Sequence, residues 1–125
     1  TSFEEKTAAN SALTVIIALS YGSRAEITRA ARLIAEKAAR GEIDPAAVDE
    51  EMFAAHLYTH GIPDPDLLIR TSGELRLSNF LLWQIAYSEF IFSELYWPDF
   101  GRAALADAIE YYSHRDRRFG GRRAG

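Results

Sequence analysis

The apolar residues fall into blocks with two different periods. Residues 13–19 (LTVIIAL) form a near-continuous run rich in β-branched side chains, interrupted only by Thr14. That pattern predicts a strand buried on both faces of a parallel sheet. Thr7 to Asn10 closes a short helical lead-in before it. Tyr21-Gly22-Ser23 breaks the run, with Ser23 as the expected N-cap of a helix. From Arg24 to Arg40 the period changes. Ile27, Ala30, Ala31, Ile34 and Ala38 recur at helical spacing, and Arg32, Glu36 and Arg40 stand four apart on the polar side. Gly41 ends this helix.

Asp44-Pro45 opens a second short helical segment, and residues 49–57 predict another turn or two. Gly61 to Pro65 is a rigid connector. Residues 66–71 (DLLIRT) read as a strand, Ser72-Gly73-Glu74 as a turn, and residues 77–87 as a helix carrying Phe80, Trp83 and Tyr87. A third strand is expected over 89–95, a corner at Trp97-Pro98-Asp99-Phe100, and a last helix over 102–117 packed through Leu105, Ile109 and Tyr112. The alternation of strands and helices predicts an α/β fold, with a mainly parallel sheet flanked by helices. Three strands make a poor parallel sheet, and the first is apolar enough to need neighbours on both sides. Further strands are therefore expected from a preceding segment or a second chain.

Composition narrows the classes. The chain has 125 residues, the size of one domain, and 48% are hydrophobic, as in a folded soluble protein. No apolar run reaches the roughly 18 residues that span a bilayer. The N-terminal TSFEEKTAAN lacks the apolar stretch of a signal peptide, and cysteine is absent, which excludes disulfides and thiolate chemistry. Both features predict a cytoplasmic location. Net charge is −4, against a general nucleic-acid binder. The end of the chain reverses this sign. Arg115, Arg117, Arg118, Arg122 and Arg123 face a single acid, Asp116, so residues 115–125 form a basic tail suited to an anion or a partner.

The chemistry concentrates at the end of the second strand. Arg70 lies at that end, Arg76 in the following loop, and Ser78 at the expected helix start. Two guanidiniums can grip phosphate oxygens bidentately, a hydroxyl adds a donor, and a helix N-terminus presents free N–H groups. The set suits a diphosphate. The same residues also suit ion pairs with Asp64, Asp66 or Glu74, with Ser78 serving only as a cap. His56, His60 and His114 have no metal-ligand spacing. Phe80, Trp83, Tyr87, Phe90 and Phe92 read as core or dimer contacts, and Arg24 as structural.

Asn10, Tyr21-Gly22-x-Arg24, the run Pro63 to Gln84, Ala86-Tyr87-x-Glu89, Trp97-Pro98-Asp99-Phe100 and Arg117-Arg118-Phe119-Gly120-Gly121 together resemble the cis-prenyltransferases, or undecaprenyl and polyprenyl diphosphate synthases. The likeness runs from about Thr7 to Gly121. It implies a transferase that condenses isopentenyl diphosphate with an allylic prenyl diphosphate, and identifies this chain with the C-terminal half of one such domain. By the same likeness Arg70, Arg76 and Ser78 would bind the diphosphate of isopentenyl diphosphate, and Leu77 would line that site. Glu89 would help hold Mg2+, and Arg118 and Gly120 in the tail would reach a partner's substrate across a homodimer. A strand-edge acid paired with a nearby arginine is the alternative for Glu89, and a frayed basic tail the alternative for Arg118 and Gly120. The family's Asp-Gly-Asn-Gly-Arg type loop, which holds the allylic diphosphate and the main catalytic aspartate, has no counterpart here, so the chain alone is expected to be inactive. A non-catalytic partner subunit of a two-subunit prenyltransferase is the rival reading. An RNA-binding module built on the arginine tail is a third, with no aromatic stacking platform beside it. At most, membrane contact would be peripheral and made through the product.

Overall fold

The computed structural model describes residues 3–115. A short helix α1 (Phe3–Thr7) precedes an irregular stretch, then the long helix α2 (Ser23–Ala39). A 3-10 turn (Pro45–Ala47) and the short helix α3 (Glu50–Ala54) lead to strand β1 (Leu67–Arg70). Strand β2 (Glu89–Phe92), a second 3-10 turn (Trp97–Asp99) and helix α4 (Arg102–Ser113) complete the order. β1 and β2 run parallel, with Leu67 opposite Glu89 and Arg70 opposite Phe92. The fold is α/β with a parallel sheet, as the alternation of elements predicts.

Local chemistry explains most boundaries. α2 ends in a Schellman motif: Gly41 at φ +73° donates to the Ala38 carbonyl at 2.9 Å, and Glu42 to Lys37 at 3.0 Å. Asp44 caps the first 3-10 turn by accepting from Ala46 N at 2.9 Å, with Pro45 in the first helical position. Asp49 caps α3 through Met52 N at 2.8 Å. The core gathers Ala30 and Ile34 of α2, Leu57, Ile85 and Ala108 of α4. Phe53 packs against Trp83 with ring centroids 4.5 Å apart and planes tilted by 36°, which fixes α3 to the crossover between the strands.

Two expected elements do not form. Residues 13–19 are irregular rather than a strand, and Leu13 and Leu19 are 78% and 82% exposed. A strand is stabilised by ladder bonds and flanking side chains, and no backbone hydrogen bond among the described residues engages this run. The second correction concerns residues 77–87, which form a series of turns instead of a helix. Ser78, Asn79 and Leu81 have φ of +49°, +64° and +46°, values a right-handed helix cannot contain. Ser23 is also displaced from its expected role. Gly22 occupies the N-cap, and Ser23 is the first helical residue.

Candidate functional site

β1 delivers Arg70 to the carboxyl end of the sheet, the end where ligands bind in open α/β folds. Pairing continues beyond the strand: Ser93 N donates to Arg70 O at 2.8 Å, Gly73 N to Ser93 O at 2.9 Å, and Ser72 N to Leu95 O at 2.7 Å. These bonds pin the 72–74 turn against the continuation of β2. Gly73 sits there at φ +65°, and a Cβ on it would come within 2.7 Å of Glu94 Oε2. A cavity of about 540 Å³ opens over this turn, with Arg70, Ser72, Glu74 and Leu77 in its wall and Phe80 and Leu81 behind.

The Arg70 Nη2 group donates to Ser78 Oγ at 3.4 Å, so these two predicted site residues do meet. Arg76 is ion-paired with Glu74 on the exposed rim. Such a pair is worth about 0–1 kcal/mol, so a phosphate can displace Glu74 cheaply. Half-buried Leu77 supplies apolar wall between Arg76 and Ser78. The helix N-terminus expected at Ser78 is absent, and the N–H groups it would have offered are partly spent, Phe80 N on Leu77 O and Leu82 N on Ser23 Oγ.

Glu89 stands apart from this cluster. The parallel register places it opposite Leu67, three residues or about 10 Å along the sheet from the level of Arg70. Its carboxylate meets Arg115 at 3.7 Å, the ion pair anticipated as the alternative to a metal role. Among the described residues no group of three or more His, Asp or Glu side chains could hold a metal ion. Mg2+ accepts one or two carboxylates completed by substrate phosphates. Glu89 fits as one such ligand, but these residues do not assemble a complete site. Arg118 and Gly120 lie outside the described residues.

The polar interior behind the loop escaped the sequence reading. Glu26 of α2 is 0% exposed and accepts from the Tyr21 hydroxyl, from Tyr58 N at 2.8 Å and from Gln84 Nε2 at 3.3 Å. Burial raises the Tyr21 pKa above its ordinary value, and the Glu26 hydrogen bond adds to the effect. Gln84 also donates to Thr59 Oγ1 at 3.0 Å. His56 accepts from Lys37 Nζ at 2.9 Å and donates through Nδ1 to Met52 O at 2.7 Å, a structural rather than a metal arrangement. Arg24 contributes its backbone N–H, which donates to Asn79 Oδ1 at 2.7 Å. An asparagine directly after Ser78, tolerant of positive φ, was the available signal for that contact.

Comparison with known proteins fixes the lineage. Residues 1–120 match the family described as "Putative undecaprenyl diphosphate synthase". The chain belongs to the undecaprenyl diphosphate synthase family. It is 57% identical over 118 residues to isoprenyl transferase 2 of Bradyrhizobium diazoefficiens, covering 94% of this chain and 47% of that one. It is 53% identical, with the same coverages, to the ditrans,polycis-undecaprenyl-diphosphate synthase of Micrococcus luteus that is specific for (2E,6E)-farnesyl diphosphate. The crystal structure of lavandulyl diphosphate synthase from Lavandula x intermedia, in complex with dimethylallyl diphosphate, superposes with a TM-score of 0.87 at 48% identity, over 94% of this chain and 50% of that one. A probable undecaprenyl diphosphate synthase from Campylobacter jejuni gives 0.76 at 39% identity, over 94% and 52%. This member of the undecaprenyl diphosphate synthase family spans about half the length of those relatives. Among its described residues no helix is long and apolar enough to cross a membrane.

Proposed function

We propose that this chain supplies the isopentenyl diphosphate-binding half of a cis-prenyltransferase site. The single observation that carries the proposal is the meeting of Arg70 and Ser78, 3.4 Å apart, where Arg70 lines a cavity at the carboxyl end of β1 and Arg76 pairs with Glu74 of the cavity wall. In this reading the two guanidiniums and the Ser78 hydroxyl hold the diphosphate, and Leu77 packs along the ligand. That the lavandulyl diphosphate synthase structure holds dimethylallyl diphosphate supports a prenyl diphosphate as the ligand class.

The reaction follows from the two substrates. The C1–oxygen bond of the allylic diphosphate breaks and inorganic diphosphate leaves with the electron pair. The double bond of isopentenyl diphosphate supplies the electrons of the new carbon–carbon bond. A proton is then lost from the adjacent carbon, which leaves a cis double bond. The part of Arg70, Arg76 and Ser78 is to hold the acceptor still, since positioning supplies much of the rate in such a condensation. Glu89 would offer one carboxylate to Mg2+, which when bound would neutralise charge on the diphosphates. The reading extends to a cytoplasmic homodimer in which Arg118 and Gly120 of one copy approach the other's substrate.

The test is direct binding. Titration calorimetry of the chain with isopentenyl diphosphate should give a saturable isotherm, and Arg70→Ala should weaken it by about 10- to 100-fold, the loss of one charge-assisted contact. Equal binding by Arg70→Ala would remove Arg70 from the site and the proposal with it.

A further inference from the structure

The N-terminus of α2 is capped from a distance. Gly22 occupies the N-cap but has no side chain with which to cap, and the helix makes no side-chain cap bond of its own. The first helical N–H groups of a 17-residue helix would then lack partners. Asn79 supplies them from 55 residues away. Its Oδ1 accepts from Arg24 N at 2.7 Å, and its backbone carbonyl accepts from Ser23 N at 2.8 Å. The bond is returned by the helix: Ser23, fully buried, accepts Leu82 N on its Oγ at 2.9 Å. The missing side chain at residue 22 leaves the space for this, because a Cβ there would stand 2.9 Å from Asn79 Nδ2.

Three bonds thus clasp the 78–82 loop to the start of α2, and the loop they hold is strained. Ser78 and Asn79 lie in the left-handed region, at φ +49° and +64°. A non-glycine residue there costs on the order of 1 kcal/mol and persists only where neighbours over-determine it. Ser78 is the residue immediately before the clasp, and its hydroxyl is the one Arg70 meets.

We infer that Asn79, with Gly22 and Ser23 as its seat, is a positioning residue for the diphosphate site: it uses the frame of α2 to hold Ser78 in the strained turn that aims its hydroxyl at the ligand. This rests on the proposed binding of isopentenyl diphosphate at Arg70 and Ser78. It adds that a residue making no contact with ligand sets the affinity of that site.

The experiment compares six variants of the chain by calorimetric titration with isopentenyl diphosphate, with folding checked by circular dichroism. Asn79→Gly removes the Oδ1 cap without adding strain, and Gly22→Ala intrudes on Asn79 while keeping an ordinary backbone. Each should weaken binding by about tenfold, equivalent to about 1.4 kcal/mol. Asn79→Asp keeps an acceptor where the helix dipole favours a negative charge, and should recover most of the affinity. Ala35→Gly, on the exposed face of α2, costs about 1 kcal/mol of stability but leaves the clasp untouched, and should bind as the unaltered chain does. Arg70→Ala and Ser78→Ala report on the site itself. If those two weaken binding while Asn79→Gly and Gly22→Ala do not, the positioning role is wrong and the site stands. Weakening by Ala35→Gly equal to that of Asn79→Gly would reduce the effect to stability and also overturn the inference. Unchanged binding by Arg70→Ala and Ser78→Ala would remove the site, and the positioning role with it.

Discussion

Arg70 and Ser78 are eight residues apart in the chain, and their side chains meet at 3.4 Å where β1 ends and the strained turn begins. Groups in contact that serve one ligand do not contribute independently. In a double-mutant cycle with Arg70→Ala and Ser78→Ala, the affinities for isopentenyl diphosphate should depart from additivity by about 1 kcal/mol. Calorimetric titration of the four proteins measures this. Strict additivity would mean that the two residues touch different ligands, or none.

The buried Glu26 carboxylate predicts a large stability effect. Glu26→Leu would leave Tyr58 N and the Tyr21 hydroxyl facing an apolar side chain, and Gln84 Nε2 with Thr59 Oγ1 as its remaining acceptor. An unsatisfied buried donor costs about 1–3 kcal/mol, so urea unfolding should show a loss on the order of 3 kcal/mol. A change below the error of the unfolding curve would show that these donors find other partners.

Tyr21 gives the pH dependence its sign. Its folded-state pKa is raised, by burial first and by Glu26 second, so the folded chain keeps the phenol proton longer than the unfolded chain does. The corresponding stability is fully present below about pH 10, the ordinary tyrosine value, and is lost as pH rises from there through the folded pKa. Tyr21→Phe should abolish this part of the alkaline loss. Thermal melts between pH 8 and 11 compare the two slopes, and identical slopes would contradict the raised value.

Gly73→Ala tests the turn beneath the cavity. Alanine at φ +65° is strained, and its methyl meets Glu94 Oε2, the mobile end of a side chain that can swing away. The backbone cost should dominate, at about 1–2 kcal/mol. Chemical denaturation of Gly73→Ala beside a Glu94→Ala, Gly73→Ala double variant separates the two contributions. Full recovery in the double variant would assign the whole cost to the contact with Glu94.

Much of this architecture was legible in local pattern. The helical period of Ile27, Ala30 and Ile34, the stop at Gly41 and the caps at Asp44 and Asp49 act within a few residues of where they stand. Both strands of the sheet were marked by short apolar runs between turn residues. The same method failed at residues 77–87, where apolar spacing favoured a helix. The deciding partner of Asn79 is the start of α2, more than fifty residues earlier, and no window of local sequence contains it. It failed again at residues 13–19, because a strand is a property of a pair. The Arg70–Ser78 contact was readable from residue types, whereas the displacement of Glu89 along the sheet became visible only with the register.

The run at residues 13–19 has a practical consequence. Seven residues with high β-propensity, no charge and no proline, largely open to solvent, are the kind of segment that stacks into cross-β aggregates and that holdase chaperones capture. For the 125-residue chain taken alone, the yield of soluble material should therefore fall steeply with concentration, and Ile17→Lys should act as a gatekeeper that raises it.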